Sequence, residues 1–171
     1  MRRCRALAFS AVLLFSAGCD HVSKQIARDV LTDSGAVSLG ADTIHLEFTQ
    51  NLGGFLSLGV GLPAGLRSLF FLAIVPLGLL LACVLFLRAG FPSGVSLIGL
   101  GLIAGGGLAN WLDRVAHGGA VTDFVGLRLG PIRTGIFNAA DVSVVVGALV
   151  LLLAYHAPGG ARRSDTARGR G

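Results

Sequence analysis

Charged residues are scarce in this chain. They make up 13% of its 171 residues, about half the share found in an ordinary soluble protein. Hydrophobic residues make up 53%, and a soluble domain of this length cannot bury so much apolar surface. The composition therefore excludes an ordinary soluble domain and predicts a protein whose solvent is largely lipid.

Cysteine is also rare, and signatures of bound groups are missing. Cys4, Cys19 and Cys83 are spaced neither as a zinc site nor as a disulfide framework. The sequence contains no HExxH motif, EF-hand loop or Walker loop. It also has no basic patch with interleaved aromatic residues, the pattern expected of a nucleic-acid-binding protein. We therefore expect no metal, no cofactor and no nucleic-acid partner.

What remains is dominated by four apolar segments, each close to the roughly 20 residues that a bilayer-spanning helix needs. The four segments cover residues 6–26, 68–87, 92–112 and 136–155. Charge enters them only as Asp20 and Lys24 in the first and Asp141 in the fourth. The pattern predicts an α-helical integral membrane protein with four transmembrane helices.

Arginines flank both ends of the apolar region. Three precede the first segment and four follow the last, so the positive-inside tendency predicts that both termini are cytoplasmic. Residues 158–171 are rich in glycine and arginine and are predicted to form a disordered basic cytoplasmic tail. We expect residues 1–157 to form a single membrane domain.

With both ends inside, residues 27–67 and 113–135 are predicted to lie on the outer side. The stretch Thr43–Phe48 alternates as a strand does, and several glycines follow it. Ala120–Val125, followed by the Gly130–Pro131 turn, predicts a small hairpin. The outer segments are therefore expected to form a small β structure above the four helices.

Ionisable side chains at membrane depth are costly, so each needs a reason. Asp20 and Lys24 are four residues apart on one helix face, which predicts a structural ion pair. Asn110 and Arg114 have the same spacing at the outer end of the third segment. From the residues alone, this polar helix end fits an anchor at the lipid headgroups, and Arg114 fits equally well a contact to a lipid phosphate or to a nearby carboxylate.

Asn138 and Asp141 lie at the start of the fourth segment. Asparagine is a good helix N-cap, and an acid three residues later suits the helix dipole. Capping explains Asn138 better than Asp141, which brings a charge into an otherwise uncharged span. If the outer hairpin folds back on this helix, Asp123 meets Asp141 at the membrane surface.

Two close carboxylates in a poorly hydrated place share a proton, which raises one pKa. The ionised member of such a pair can take a proton from water while the other polarises a peptide carbonyl. This is the chemistry of an aspartyl protease, and it needs neither a metal nor a covalent intermediate. The four histidines form no clear Ser–His–Asp arrangement.

Five segments resemble, in order, the motif boxes of bacterial lipoprotein signal peptidase (signal peptidase II). The boxes read D-x-x-T/S-K, N-x-G, G-G-x-x-N-x-x-D-R, V-x-D-F and F-N-x-A-D. The matching segments are Asp20–Lys24, Asn51–Ser57, Gly106–Arg114, Val121–Phe124 and Phe137–Asp141. Ser23, Ala109 and Thr122 stand where the family commonly has Thr, Gly and Val. Together the boxes cover nearly the whole chain.

The resemblance implies an intramembrane aspartyl endopeptidase of the bacterial inner membrane. Such an enzyme removes the signal peptide of diacylglyceryl-modified prolipoproteins by cutting before the lipidated cysteine. By matching position, the catalytic pair is Asp123 and Asp141. Substrate-binding or dyad-supporting roles fall to Asn51, Asn110, Arg114 and Asn138, and structural support to Asp20, Lys24 and Gly53. The resemblance also implies a small extracytoplasmic β-cradle, contact with membrane lipid and inhibition by the cyclic peptide globomycin.

Three other interpretations are open at this point. A small proton- or ion-coupled transporter subunit would use Asp141 as an ion site and give Asp123 no special role. A membrane scaffold would tolerate asparagine at both positions. The run Ser16–Cys19 resembles a lipoprotein cleavage site, and that interpretation predicts removal of residues 1–18 with lipid on Cys19.

Overall fold

The computed structural model describes residues 2–89 and 93–156. In chain order the elements are α1 (Arg2–Ser34), β1 (Val37–Leu39), β2 (Ile44–Asn51), a 3₁₀ turn (Phe55–Ser57), α2 (Ala64–Leu69), a π-helical turn (Phe70–Ile74), α3 (Val75–Ala89), α4 (Gly94–Ala116), β3 (Val121–Leu129), β4 (Ile132–Arg133) and α5 (Ala139–His156). The predicted tail, residues 158–171, lies outside the described residues.

Four helical stretches in this part of the chain are long and apolar enough to cross a membrane. They are Arg3–Ser34, Ala64–Ala89, Gly94–Ala116 and Ala139–His156, and we call them the first to fourth spans. The second span joins α2, the π-helical turn and α3 into one run. The predicted architecture of four transmembrane helices is thus confirmed.

The first helix is longer than the predicted segment 6–26. Asp20, Lys24, Ala27 and Leu31 follow one another at helical spacing, and all four are buried. Because this buried face continues past the apolar run, the helix continues with it to Ser34.

The fourth helix begins at Ala139, three residues later than the predicted start at 136. Phe137 forms a β-bridge with Val125, so the chain is still extended there. Asn138 then caps the helix: its Oδ1 accepts from the main-chain N–H of Asp141 at 2.9 Å.

The outer segments meet in one antiparallel sheet of strand order β1-β2-β3-β4. The strands predicted around residues 43–48 and 120–125 are confirmed as β2 and β3. These two strands pair in a register that sets Thr49 opposite Asp123 and Asn51 opposite Val121. The pairing therefore brings Asn51, from the first outer segment, beside Asp123 in the second.

Small residues allow α4 to lie close to its neighbours. A Cβ atom on Gly105 would lie 2.5 Å from the carbonyl oxygen of Leu13 in α1, and one on Gly106 would lie 3.0 Å from Val144 Cγ2 in α5. The third span is therefore held between the first and fourth, with its C-terminal end beneath the sheet.

Candidate active site

Buried polar side chains converge where α1, α4 and α5 meet β2 and β3. This polar cluster consists of Asp20, Lys24, Asn51, Arg114, Thr122, Asp123, Asn138 and Asp141. Polar groups away from water are costly unless they are paired. The contacts within this cluster therefore decide how each group is held.

Asp123 lies on β3 and is only 1% exposed. The side-chain amide of Asn51 donates to its Oδ2 at 2.9 Å, and that of Asn138 donates to its Oδ1 at 2.6 Å. Each carboxylate oxygen is thus fixed by a different element, one by the sheet and one by the cap of α5.

Asp141 occupies the third position of α5 and forms a reciprocal capping box with Asn138. The main-chain N–H of Asp141 donates to Asn138 Oδ1. In return, Asp141 Oδ2 accepts from the main-chain N–H of Asn138 at 3.3 Å. Its Oδ1 accepts from the side-chain amide of Asn110 in α4 at 2.9 Å. The predicted cap is confirmed, and it accounts for Asp141 as well as Asn138.

Asn138 links the two acids. Its side chain binds Asp123, and its main chain and side-chain oxygen bind Asp141. Its amide also lies 3.3 Å from the carbonyl oxygen of Thr122 and 3.2 Å from Asn110 Oδ1. The structure therefore brings the two aspartates together around one asparagine, although they are 18 positions apart in the sequence.

Burial raises the pKa of Asp123 to about 6, because the ionised carboxylate loses its water, and the nearby charge of Asp141 adds to this effect. The hydrogen bonds from Asn51 and Asn138 act in the opposite direction. Asp123 is therefore poised to hold or release a proton near neutral pH.

Lys24 stabilises the other side of the cluster. Its Nζ lies 2.6 Å from Asp20 Oδ2, which confirms the predicted ion pair, and 3.2 Å from Asp113 Oδ2. It also donates to Asn110 Oδ1 at 2.9 Å. Because an ammonium group can only donate, the oxygen of Asn110 faces Lys24 and its amide hydrogens face Asp141.

Asp20 extends this support to α5. Its Oδ1 accepts from the main-chain N–H of Ala140 at 2.7 Å. That N–H belongs to the first turn of α5, where main-chain donors have no partner within the helix. Asp20 and Lys24 therefore orient groups on both sides of Asp141 without binding it directly.

Asp113 is a supporting residue that sequence reasoning missed. Its Oδ2 accepts from the main-chain N–H of Thr122 at 2.7 Å, and its Oδ1 lies 3.0 Å from His117 Nδ1. It thereby ties the start of β3, next to Asp123, to α4 and to Lys24. Its position beside Arg114 at the outer end of an uncharged span was the available signal.

Arg114 is buried and holds the segment after β2. Its Nη2 donates to the carbonyl oxygen of Gly53 at 2.6 Å, its Nη1 donates to that of Asn110 at 3.1 Å, and its guanidinium lies 4.7 Å from the ring centre of Phe71. The hydrogen bonds described for it thus end on main-chain carbonyls rather than on a carboxylate.

Gly53 lies in the turn that follows β2. Its N–H donates to Asn51 Oδ1 at 2.8 Å, which orients the amide of Asn51 toward Asp123. A Cβ atom at this position would lie 2.7 Å from the carbonyl oxygen of Leu58. The turn therefore has no room for a side chain.

The fold and the site together define a multi-pass membrane protein with a pair of buried carboxylates where its helices meet the sheet. The sequence model described as Signal peptidase (SPase) II matches residues 12–157. The chain belongs to this family.

Individual relatives agree with this assignment. The lipoprotein signal peptidase of Halothermothrix orenii is 33% identical over 134 residues, covering 78% of this chain and 85% of the relative. The lipoprotein signal peptidase of Chlorobium luteolum is 31% identical over 157 residues, covering 86% and 90%.

Solved structures share the fold. Two structures of bacterial membrane enzymes superimpose with TM-scores of 0.71 and 0.68, each at 23% identity. The first alignment covers 86% of this chain and 92% of the other, and the second covers 84% of each. The four-helix arrangement with its outer sheet is thus also found in solved membrane proteins.

Proposed function

We propose that this chain is an aspartic endopeptidase that removes the signal peptide from diacylglyceryl-modified prolipoproteins, cutting before the lipidated cysteine. Membership of the signal peptidase II family supports the reaction. The observation that carries the assignment of Asp123 and Asp141 as the catalytic pair is their shared partner, Asn138. The substrate class follows from the family and from the position of the pair at the outer ends of the spans.

The proposed mechanism uses one proton shared by the two carboxylates. The ionised member takes a proton from a water molecule, which attacks the scissile carbonyl, while the protonated member donates a hydrogen bond to the carbonyl oxygen. The tetrahedral intermediate then collapses as the leaving amine receives a proton. The two acids titrate as a unit, and the raised pKa of Asp123 suits it to share the proton.

The neighbouring amides support this chemistry. Asn51 donates to Asp123, Asn110 donates to Asp141, and Asn138 bonds with both acids. These bonds leave the carboxylates little freedom to rotate, so the pair meets the substrate already oriented. Arg114 and Asn51 are the proposed contacts to the substrate main chain.

The location of the site suits a lipid-modified substrate. The acyl chains and the apolar signal helix of the substrate stay in the bilayer while the scissile bond reaches the outer interface, where water is available. Large apolar side chains are exposed along all four spans, among them Leu14, Leu77, Ile98 and Leu153. We place the protein in a bacterial inner membrane with both termini cytoplasmic, since arginines flank both ends of the apolar region.

The test is cleavage by the purified protein reconstituted in lipid. A diacylglyceryl-modified prolipoprotein should yield a product that begins at the lipidated cysteine, as read by mass spectrometry. The unlipidated precursor is the matched control and should stay intact. Globomycin should abolish cleavage of the lipidated substrate. If the folded protein cuts neither substrate, or cuts both equally, the proposed substrate class is wrong.

A further inference from the structure

The second span packs only loosely against the rest of the protein. None of its residues, from Ala64 to Ala89, is buried. A hydrogen bond from the third span reaches it at the π-helical turn Phe70–Ile74, where the main chain is wider than in an α-helix. A single π-turn inside an α-helix commonly lies at a functional position.

Pro76 gives this turn a physical cause. Proline has no main-chain N–H, so Pro76 cannot donate to the carbonyl of Leu72, four residues before it. A main-chain carbonyl without its helical donor is costly within a membrane and needs another partner. The indole N–H of Trp111 in α4 donates to the Leu72 oxygen at 3.1 Å. Trp111 thus fastens the second span to the third at this turn.

Phe71, the residue before Leu72, connects the π-helical turn to the active site by contacting Arg114. The ring of Phe71 lies under the guanidinium of Arg114, 4.7 Å away, and a Cβ atom on Gly54 would lie 3.0 Å from its Cε1. Arg114 donates to the carbonyl of Gly53. The N–H of Gly53 in turn orients Asn51.

Asn51 completes the chain of contacts, because its amide donates to Asp123. The path therefore runs from the π-turn through Phe71, Arg114 and Gly53 to one of the two acids.

We propose that Phe71 and Trp111 are positioning residues. Through the π-turn they hold the segment around Gly53 so that Asn51 orients the carboxylate of Asp123. This inference rests on the proposed function of Asp123. Neither residue touches the reacting atoms, so both act through the geometry of others.

Two substitutions separate this role from simple stabilisation. Trp111→Phe keeps an aromatic ring but removes the indole N–H. Pro76→Ala supplies the missing main-chain N–H, which lets Leu72 bond within its own helix and compete with Trp111. Alanine is a far better helix former than proline, so Pro76→Ala should leave thermal stability equal or higher.

We expect each substitution to lower kcat about fivefold, the effect of losing one ordinary hydrogen bond, with little change in KM. The matched control is Phe15→Leu, which removes an exposed ring from the first span and should leave kcat unchanged. Loss of kcat without loss of stability is the outcome that a purely structural role does not produce. Wild-type kcat in either variant would overturn the inference.

Trp111 is the only tryptophan in the chain, so its fluorescence reports on this contact directly. In folded Pro76→Ala we expect the emission maximum to move to shorter wavelength, because the indole loses its hydrogen bond. An unchanged spectrum would contradict the contact. If the wild type did not cleave, the proposed function would fail, whereas the emission shift tests the contact without any cleavage.

Discussion

The second and third spans are both long and apolar enough to cross a membrane, but their surroundings are opposite. In its most apolar window, half of the third span is buried, whereas no residue of the second span is buried. The third span carries Asn110, Asp113 and Arg114 into the polar cluster, whereas the second reaches it through one turn at Phe71. The third span therefore supplies residues of the site, whereas the second span contacts the site from its edge.

The difference follows from how helices associate in lipid. Apolar side chains gain little by leaving lipid for another apolar surface, so small residues and polar contacts decide which helices pack closely. The third span has glycines facing both neighbours, at Gly105 and Gly106. In the second span a Cβ atom on Gly78 would meet nothing within 4 Å.

The largest effect on stability is expected from Lys24→Met. Lys24 is buried, with 5% of its side chain exposed, and it pairs with Asp20 and Asp113. Removing one partner of a buried ion pair typically costs about 3–5 kcal/mol, because the remaining charge is left uncompensated. The free energy of unfolding in detergent measures this loss. The matched change Arg88→Met, at an exposed basic residue of the second span, should have little effect. Equal losses would contradict the contrast between the buried polar cluster, which Lys24 joins from the first span, and the exposed second span.

The next-largest effect on stability distinguishes alanine substitutions at two glycines, one in each of these spans. In Gly106→Ala the new methyl group would meet the carbonyl oxygen of Ala140 and lie 3.0 Å from Val144 Cγ2, and overpacking of this kind costs about 1–3 kcal/mol. In Gly78→Ala the methyl group has open space, and alanine favours a helix over glycine. Thermal unfolding should therefore show a lower Tm for the first variant and an equal or higher Tm for the second. The same sign in both would mean that the second span is packed like the third.

The smallest effect is a pH dependence of stability. The folded-state pKa of Asp123 is raised from 3.8 to about 6. Because the folded state favours the protonated carboxyl, the group makes its full contribution to stability below pH 4. That contribution is lost as the pH rises through about 6. Asp123→Asn cannot ionise, so its Tm relative to wild type should increase between pH 4 and pH 7. Parallel pH curves for the two proteins would show that Asp123 is not held in a poorly hydrated site.

Local spacing predicted much of this architecture. The apolar runs indicated the four spans, the i, i+4 spacing indicated the pair of Asp20 and Lys24, and capping preferences indicated the start of the fourth helix. Each of these features depends on residues that are close in sequence.

Features that join distant segments could not be predicted in the same way. The contact of Asp113 with the main chain of Thr122 depends on how the sheet lies on α4. The partner of Arg114 is Gly53, 61 positions away. Pro76 signals an irregular helix, but nothing in the sequence shows that Trp111 supplies the replacement donor.

Substituting each acid in the cleavage assay shows whether Asp123 and Asp141 are the catalytic pair. Asp123→Asn and Asp141→Asn should give no product above background from a diacylglyceryl-modified prolipoprotein while remaining folded by thermal unfolding. Asp42→Asn, at an exposed acid of the outer segment, should cleave like the wild type. Near-normal cleavage by either folded variant would show that the substituted aspartate is not catalytic.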